Sequence, residues 1–239
     1  MTDSWNPITL TTEADTLHVL SELRGRRWLF RGQPRRYAGL VPSIDRGPLQ
    51  LLSREAKLRL ERRSIELFRS TARFFADPGE ERALADDIVA MMVLRHYGVP
   101  SRILDWSSSP WIAAYFACED HDTKDQDGEL WTFDEPLYEQ EGAKQWKRWP
   151  QTTSDGSGDP AKFVAGLTAF LPDEPPDWFI CGFYPLGFYR QNAQQSVYTM
   201  TARFGCDHAE AIGGLFANPA AYYLYVIAAA LKPKLRELL

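Results

Sequence analysis

Residues 96–117 read HYGVPSRILDWSSSPWIAAYFA, and the fold is most legible here. Gly98 stands just past an apolar helical run, where a left-handed cap is needed, and Pro100 keeps the helix from resuming. Residues 102–105 are short and strand-like. Ser109 followed by Pro110 marks a new helix start: the hydroxyl accepts a backbone N–H of the first turn, and proline lacks only an N–H that this turn leaves unused. Residues 111–118 (WIAAYFAC) then form a compact apolar helix.

Working outward, residues 80–96 predict a helix with Leu84, Ile88, Met91, Met92 and Leu94 on its apolar side. Residues 49–75 predict another, stopped by Asp77-Pro78-Gly79. Residues 27–31 (RWLFR) read as a strand ending at Gly32, and residues 11–23 as an N-capped amphipathic helix broken by Gly25. Downstream, strands are expected at 128–133, 178–183, 196–201 and 222–230, with short helices at 161–170 and 232–239. Residues 135–160, rich in charge, Gly and Ser, read as an insertion or long loop. Long helices early and strands mostly late predict one α+β domain over residues 1–239.

Composition bounds the function. The 239 residues are 44% hydrophobic, 25% charged and 13% aromatic, as in an ordered globular protein. A net charge of −5 removes bulk positive charge as a basis for coating nucleic acid and leaves only a local basic face. One candidate is the helix carrying Arg54, Lys57, Arg59, Arg62, Arg63, Arg69 and Arg73, equally readable as a solvated face with interspersed glutamates. No apolar run reaches the roughly 18 residues of a membrane span, and MTDSWNPITL lacks a basic-then-apolar signal pattern. The expectation is a cytoplasmic protein with no membrane partner. Cys118, Cys181 and Cys206 form no C-x-x-C pair, so reduced, mostly buried thiols are expected.

Four polar clusters stand out. In Phe30-Arg31-Gly32-Gln33, Arg31 sits at a strand mouth, suited to clamp a phosphate or ribose, and Gly32 allows close backbone approach. A strand-end arginine is also commonly no more than solvated. His96 and Tyr97 close a helix, where the dipole alone favours histidine. Asp105, Trp106, Ser107, Ser108 and Ser109 combine hydroxyls with the N–H groups of a helix start, a polar-ligand or anion site, although capping needs only one serine. The run from Arg190 through Gln194 and Gln195 to Ser196 suits hydrogen bonding to a ligand, or is a polar loop. His18, His121 and His208 have no metal-ligand spacing, so no metal is expected. Gly-rich phosphate loops and G-x-S-x-G are absent, and a triad of Ser107, His96 and Asp105 has poor specificity.

Taken together, FRG, HYG-P-S-R-ILDWSSSP-AAYFA and R-x-x-x-Q-Q-S resemble the FRG-domain family from about Trp28 to Leu239. The departures are Ser101, where the family commonly has threonine, and Ser196, where it has glycine. That family in turn resembles ADP-ribosyltransferases of the arginine–serine–glutamate type. The resemblance implies a split β-sheet core with N-terminal helices and NAD as co-substrate without a metal. By position, Arg31 matches the arginine motif. Ser107, Ser108 and Ser109, with Ala113 or Ala114, Phe116 and Ala117, match the serine motif; Gln194 and Gln195 fall where the glutamate loop belongs.

The roles implied follow from those matches. Arg31 would hold the diphosphate or nicotinamide ribose with Gly32 beside it, and Ser107–Ser109 would shape the nicotinamide end. Tyr97 or Trp106 would stack on a ring, His96 and Asp105 would line the site, Gln194 or Gln195 would orient the ribose, and Arg190 would support the site or acceptor. The expected function is an ADP-ribosyltransferase acting as an intracellular toxin or antiviral-defence effector, with RNA, DNA or protein as acceptor and an antitoxin as partner. Glutamine offers a dipole but neither the charge nor the basicity of glutamate. Either the chemistry tolerates it, or another carboxylate such as Asp105 compensates, or the protein only binds a nucleotide. Plain NAD hydrolysis is a further alternative.

Overall fold

The computed structural model describes residues 5–72, 87–119, 121–146, 179–182, 189–201 and 203–239. Among the described residues seven strands are β1 (Pro7–Leu10), β2 (Trp28–Gln33), β3 (Ile103–Ser107), β4 (Gly128–Asp134), β5 (Phe179–Gly182), β6 (Ser196–Thr201) and β7 (Tyr222–Ile227). The described helices are α1 (Glu13–Arg24), α2 (Arg54–Ala72), α3 (Asp87–His96), α4 (Pro110–Cys118), α5 (Glu135–Trp146), α6 (Tyr189–Gln194), α7 (His208–Leu215) and α8 (Lys232–Leu238). The strands form one sheet in the order β1-β7-β4-β2-β3-β6-β5. It is mixed: β1 runs parallel to β7, and the other neighbours are antiparallel. The α+β expectation therefore holds.

Side-chain alternation divides the core between the two faces of the sheet. Leu29, Trp131, Phe133, Leu104, Trp106 and Val197 face one side, where Tyr138 of α5 and Ile212 of α7 cover them. Phe30, Leu130, Tyr225 and Ile227 face the other, against Leu20 and Leu23 of α1, Ala113 and Ala117 of α4, and Leu235 of α8. A strand buried on both faces loses polar alternation, which is why six of the seven residues of β4 and all six of β6 are buried. Burying a side chain such as Phe30 contributes about 2–3 kcal/mol.

Two local features place the functional residues. Gly98 has φ +79°, its N–H donates to Arg95 O and that of Val99 to Leu94 O, so α3 ends in the double-bonded left-handed cap expected there. Gly32 and Gly128, on adjacent strands, let α4 lie directly on the sheet. A Cβ at Gly32 would stand 1.8 Å from Ala113 O, and one at Gly128 would stand 2.4 Å from Ala117 O. The close approach that Gly32 permits is thus to a helix backbone.

The middle of the sheet is its thinnest joint. β2 and β3 register at one pair, Phe30 with Ser107, against six pairs for β2–β4 and five for β3–β6. Two half-sheets meet at a single rung, and the chain beyond it carries the polar clusters.

Several expectations need correction. Residues 135–146 form helix α5 where a loop or insertion was expected. Asp134 Oδ1 accepts the Leu137 N–H at 2.9 Å, and the buried Tyr138 anchors the helix behind its charged outer face. Residues 147–160 and the helix expected at 161–170 lie outside the described residues. Residues 189–194 are helical where a polar loop was one reading. β1 and α7 carried too short a pattern to be predicted. Helix α2 begins at Arg54, and Leu51 lies outside it, 83% exposed. Its buried side carries Lys57 and Glu61 as well as Leu58 and Ile65. Cys118 is buried, which pushes its thiol up to about 11, and Cys206 is half-buried; both are free. No helix among the described residues is long and apolar enough to cross a membrane.

Candidate functional site

A cavity of about 550 Å³ opens beside the single-rung joint. Arg31 and Gly32 of β2, His96 of α3, Asp105, Trp106 and Ser107 of β3, and Gln194 of α6 all border it. Three distant stretches of chain therefore meet in one cleft. Arg95, Pro34, Phe116, Glu119 and Ser196 border it too; from sequence Phe116 and Ser196 entered only as members of a motif or polar run, and Pro34, Arg95 and Glu119 were given no role. Arg95 had a usable signal, standing beside His96 at the same helix end. Glu119, one residue past an apolar helix, had none.

Arg31 crosses the joint. Its Nη1 donates to the Asp105 main-chain carbonyl at 2.5 Å, and its buried Nε has no hydrogen-bond partner among the described residues. Burial pulls the guanidinium down to about 10; the Asp105 charge opposes this, while Arg95 and Arg46 add to it. Arg31 therefore stays charged at neutral pH. Arg95 Nε lies 3.1 Å from Asp105 Oδ2, while the buried Asp105 Oδ1 has no hydrogen-bond partner among the described residues. Arg31 and Arg95, with Arg46 close enough to be felt by both, share one nearby carboxylate. Such a wall favours an anion.

The serines and glutamines do something different from what the sequence suggested. Ser107 Oγ donates to Gln194 O at 2.8 Å and accepts the Ser109 N–H at 3.0 Å. Ser108 donates its N–H to Gln195 O and its hydroxyl to Gln195 Oε1, both at 3.1 Å. Ser109 caps α4 by accepting the Ile112 N–H at 3.5 Å. Gln195 takes φ +47°, a left-handed conformation uncommon for a side-chain-bearing residue, where α6 turns into β6. The serine corner is thus fastened to the glutamine corner. Ser107 and Gln194 border the cavity; Ser108, Ser109 and Gln195 do not: Ser108 and Gln195 bond each other across the joint, and the Ser109 hydroxyl caps α4.

His96 is in place, its Nε2 2.7 Å from the Tyr198 hydroxyl. Ser107, His96 and Asp105 make no triad: the hydroxyl goes to Gln194, the imidazole to Tyr198 and the carboxylate to Arg95. Trp106 is no stacking platform. Its indole packs edge-on against Phe133 in the core, with Nε1 bonded to Thr199 Oγ1 at 2.8 Å. That hydroxyl also meets His208 Nδ1 at 2.8 Å, and burial, with Arg31 and Arg46 nearby, pushes His208 down to about 3, so it is neutral. Tyr97 is 64% exposed and outside the cavity, because the cap at Gly98 turns it outward. Arg190 lies on α6. Among the described residues no group of three His, Cys, Asp or Glu side chains is arranged to hold a metal ion.

Residues 26–126 match the family model described as FRG domain, which places this segment in the FRG-domain family. The match spans Arg31, His96, Asp105 and the three serines and stops short of Gln194. No curated protein and no solved structure matches the chain.

Proposed function

We propose that this FRG-domain chain is an NAD-dependent ADP-ribosyltransferase, a toxin or defence effector that modifies a macromolecule. The observation that carries the reading is the convergence of Arg31, Ser107 and Gln194 on one cavity, whose volume is within the range of small-molecule sites. The single-rung division of the sheet supports an ADP-ribosyltransferase-like core.

In this reading the diphosphate lies against Arg31 and Arg95, where paired guanidiniums supply forked donors. The Gln194 amide holds a ribose hydroxyl. The bond between ribose C1′ and the nicotinamide nitrogen breaks, and its electron pair leaves with neutral nicotinamide. The acceptor's nucleophile adds to C1′ and loses its proton, so NAD and acceptor become ADP-ribosylated acceptor, nicotinamide and a proton. Positive charge at C1′ is stabilised by a carboxylate at the cavity, and Asp105 and Glu119 both border it. Either one restores the charge that glutamine lacks.

The test is nicotinamide release from NAD by the full chain, with and without single-stranded nucleic acid or cell lysate, read by chromatography. Release coupled to label transfer, and lost in Arg31→Ala, supports transfer. Tight NAD binding without release makes the protein a binding module. Release that no macromolecule accelerates makes it a hydrolase.

A further inference from the structure

The hydroxyls of β6 have partners within the fold, with one exception. Tyr198 meets His96 Nε2 at 2.7 Å. Thr199 Oγ1 accepts from Trp106 Nε1 and meets His208 Nδ1, both at 2.8 Å, and Thr201 Oγ1 donates to Arg203 O at 2.9 Å. Ser196, the first residue of the strand, is 1% exposed, and its Oγ has no hydrogen-bond partner among the described residues. A hydroxyl taken out of water without a partner destabilises the folded chain, and alanine, nearly the same size, would avoid that. A partner from outside the fold removes the cost.

Register fixes the face to which Ser196 turns. It pairs with Ser107 of β3, which pairs with Phe30 of β2. Residues directly paired in antiparallel strands turn their side chains to one face, so Phe30, Ser107 and Ser196 make a row across the single-rung joint. All three border the main cavity. Ser107 Oγ is committed, to Gln194 O at 2.8 Å and to the Ser109 N–H at 3.0 Å. In this row the Ser196 hydroxyl is the one left for a ligand.

The group it meets follows from the covalent order of the dinucleotide, and this step rests on the transfer reading above. There the diphosphate lies against Arg31 and Arg95, and Gln194, two residues before Ser196, holds the ribose. Beyond that ribose, on the side away from the diphosphate, NAD carries only nicotinamide, whose polar substituent is a carboxamide. A carboxamide presents N–H donors and a carbonyl acceptor. A serine hydroxyl both donates and accepts, and swings between staggered rotamers to meet either.

We propose that Ser196 Oγ hydrogen-bonds the carboxamide of nicotinamide, and is the specificity-determining residue that reads the leaving group of NAD. It sets the rotation of the ring about the bond to be broken. The hydroxyl is kept at some cost to the empty fold because the bound ligand completes it.

The test is calorimetric titration of the full chain, wild type beside Ser196→Ala, with three ligands: NAD, the NAD analogue carrying hydrogen in place of the carboxamide, and ADP-ribose. Ser196→Ala should weaken NAD about fivefold or more, and leave the other two within about twofold, because neither carries the group the hydroxyl reads. Wild type should likewise favour NAD over the analogue by about fivefold or more, a comparison that needs no variant. The urea midpoint of Ser196→Ala should be unchanged or raised, since only a partnerless hydroxyl is lost. A lowered midpoint reveals a partner within the fold and overturns the proposal. So do equal losses for NAD and ADP-ribose, or equal binding of NAD and the analogue by wild type. A chain that releases nicotinamide while Ser196→Ala binds NAD as wild type does overturns this role alone. One that discriminates as stated and never releases nicotinamide overturns the transfer reading alone, and one that binds no NAD overturns both.

Discussion

Gly32→Ala is the sharpest perturbation of this fold. The added Cβ would stand 1.8 Å from Ala113 O, 2.7 Å from Ala117 N and 2.9 Å from Ala113 C, all backbone atoms of α4. Ordinary contact begins near 3.4 Å, so α4 must withdraw by about 1.6 Å, or β2 must bend away. No flexible side chain is there to give way. Overpacking of this kind costs about 1–3 kcal/mol, and backbone on the far side puts this site at or above the upper end. The entropic gain of Gly→Ala, about 0.4–1 kcal/mol, offsets only part of it. Urea unfolding of the purified variant should show a net loss of about 2–3 kcal/mol. Gly128→Ala, whose Cβ meets Ala117 O at 2.4 Å, should lose less. The double variant should lose less than the sum, because one retreat of α4 relieves both clashes. A loss below about 0.5 kcal/mol for Gly32→Ala would refute the packing role, leaving this glycine to be explained by ligand approach.

Three other outcomes follow from the same geometry. Glu61→Gln, which leaves Arg102 buried without its carboxylate, should cost about 3–5 kcal/mol in denaturant unfolding, and Glu61→Leu with Arg102→Met should recover most of it. His208 is held far below its ordinary 6.5, so the unfolded chain binds its proton first; its contribution is whole above pH 6.5 and falls by up to about 1.4 kcal/mol per pH unit as pH drops toward 3. Buried Glu129 and Asp207 are raised and act with the opposite sign, so the readout is the difference in pH slope between wild type and His208→Gln, whose stability should rise less with pH below 6.5. Ser107→Ala removes a donor to Gln194 O and an acceptor for Ser109 N–H, and should lower stability by about 1–3 kcal/mol; no change would mean the two corners are not fastened through this hydroxyl.

What the sequence makes legible here is what depends on neighbours in sequence. The Gly98 cap, the Ser109 N-cap and the strand at 196–201 rest on local backbone rules and stand where the residues predict them, and the strand expected at 27–31 is found at 28–33, running on through Gly32. β1 has only four residues and depends on pairing with β7, so no pattern announces it. α5 hides behind a charged face because its anchor, Tyr138, is one residue deep in a core built from other strands. The site divides the same way. Arg31, His96, Asp105, Ser107 and Gln194 meet as their motifs suggest. The fastening of Ser108 to Gln195, the core position of Trp106 and the packing role of Gly32 are tertiary facts, invisible until β3, β6 and α4 are in place. Arg95 enters the site only because the left-handed cap sets the end of α3 against Asp105.

The most direct measurement is calorimetric titration of the full chain with NAD, wild type beside Arg31→Gln and Gln194→Ala. One dinucleotide should bind per chain, weakened about tenfold or more by loss of the charged hydrogen bonds from Arg31 and by a smaller factor in Gln194→Ala. NAD that binds all three proteins alike, or none of them, would contradict a shared cleft in which Arg31 holds the diphosphate and Gln194 a ribose of one ligand.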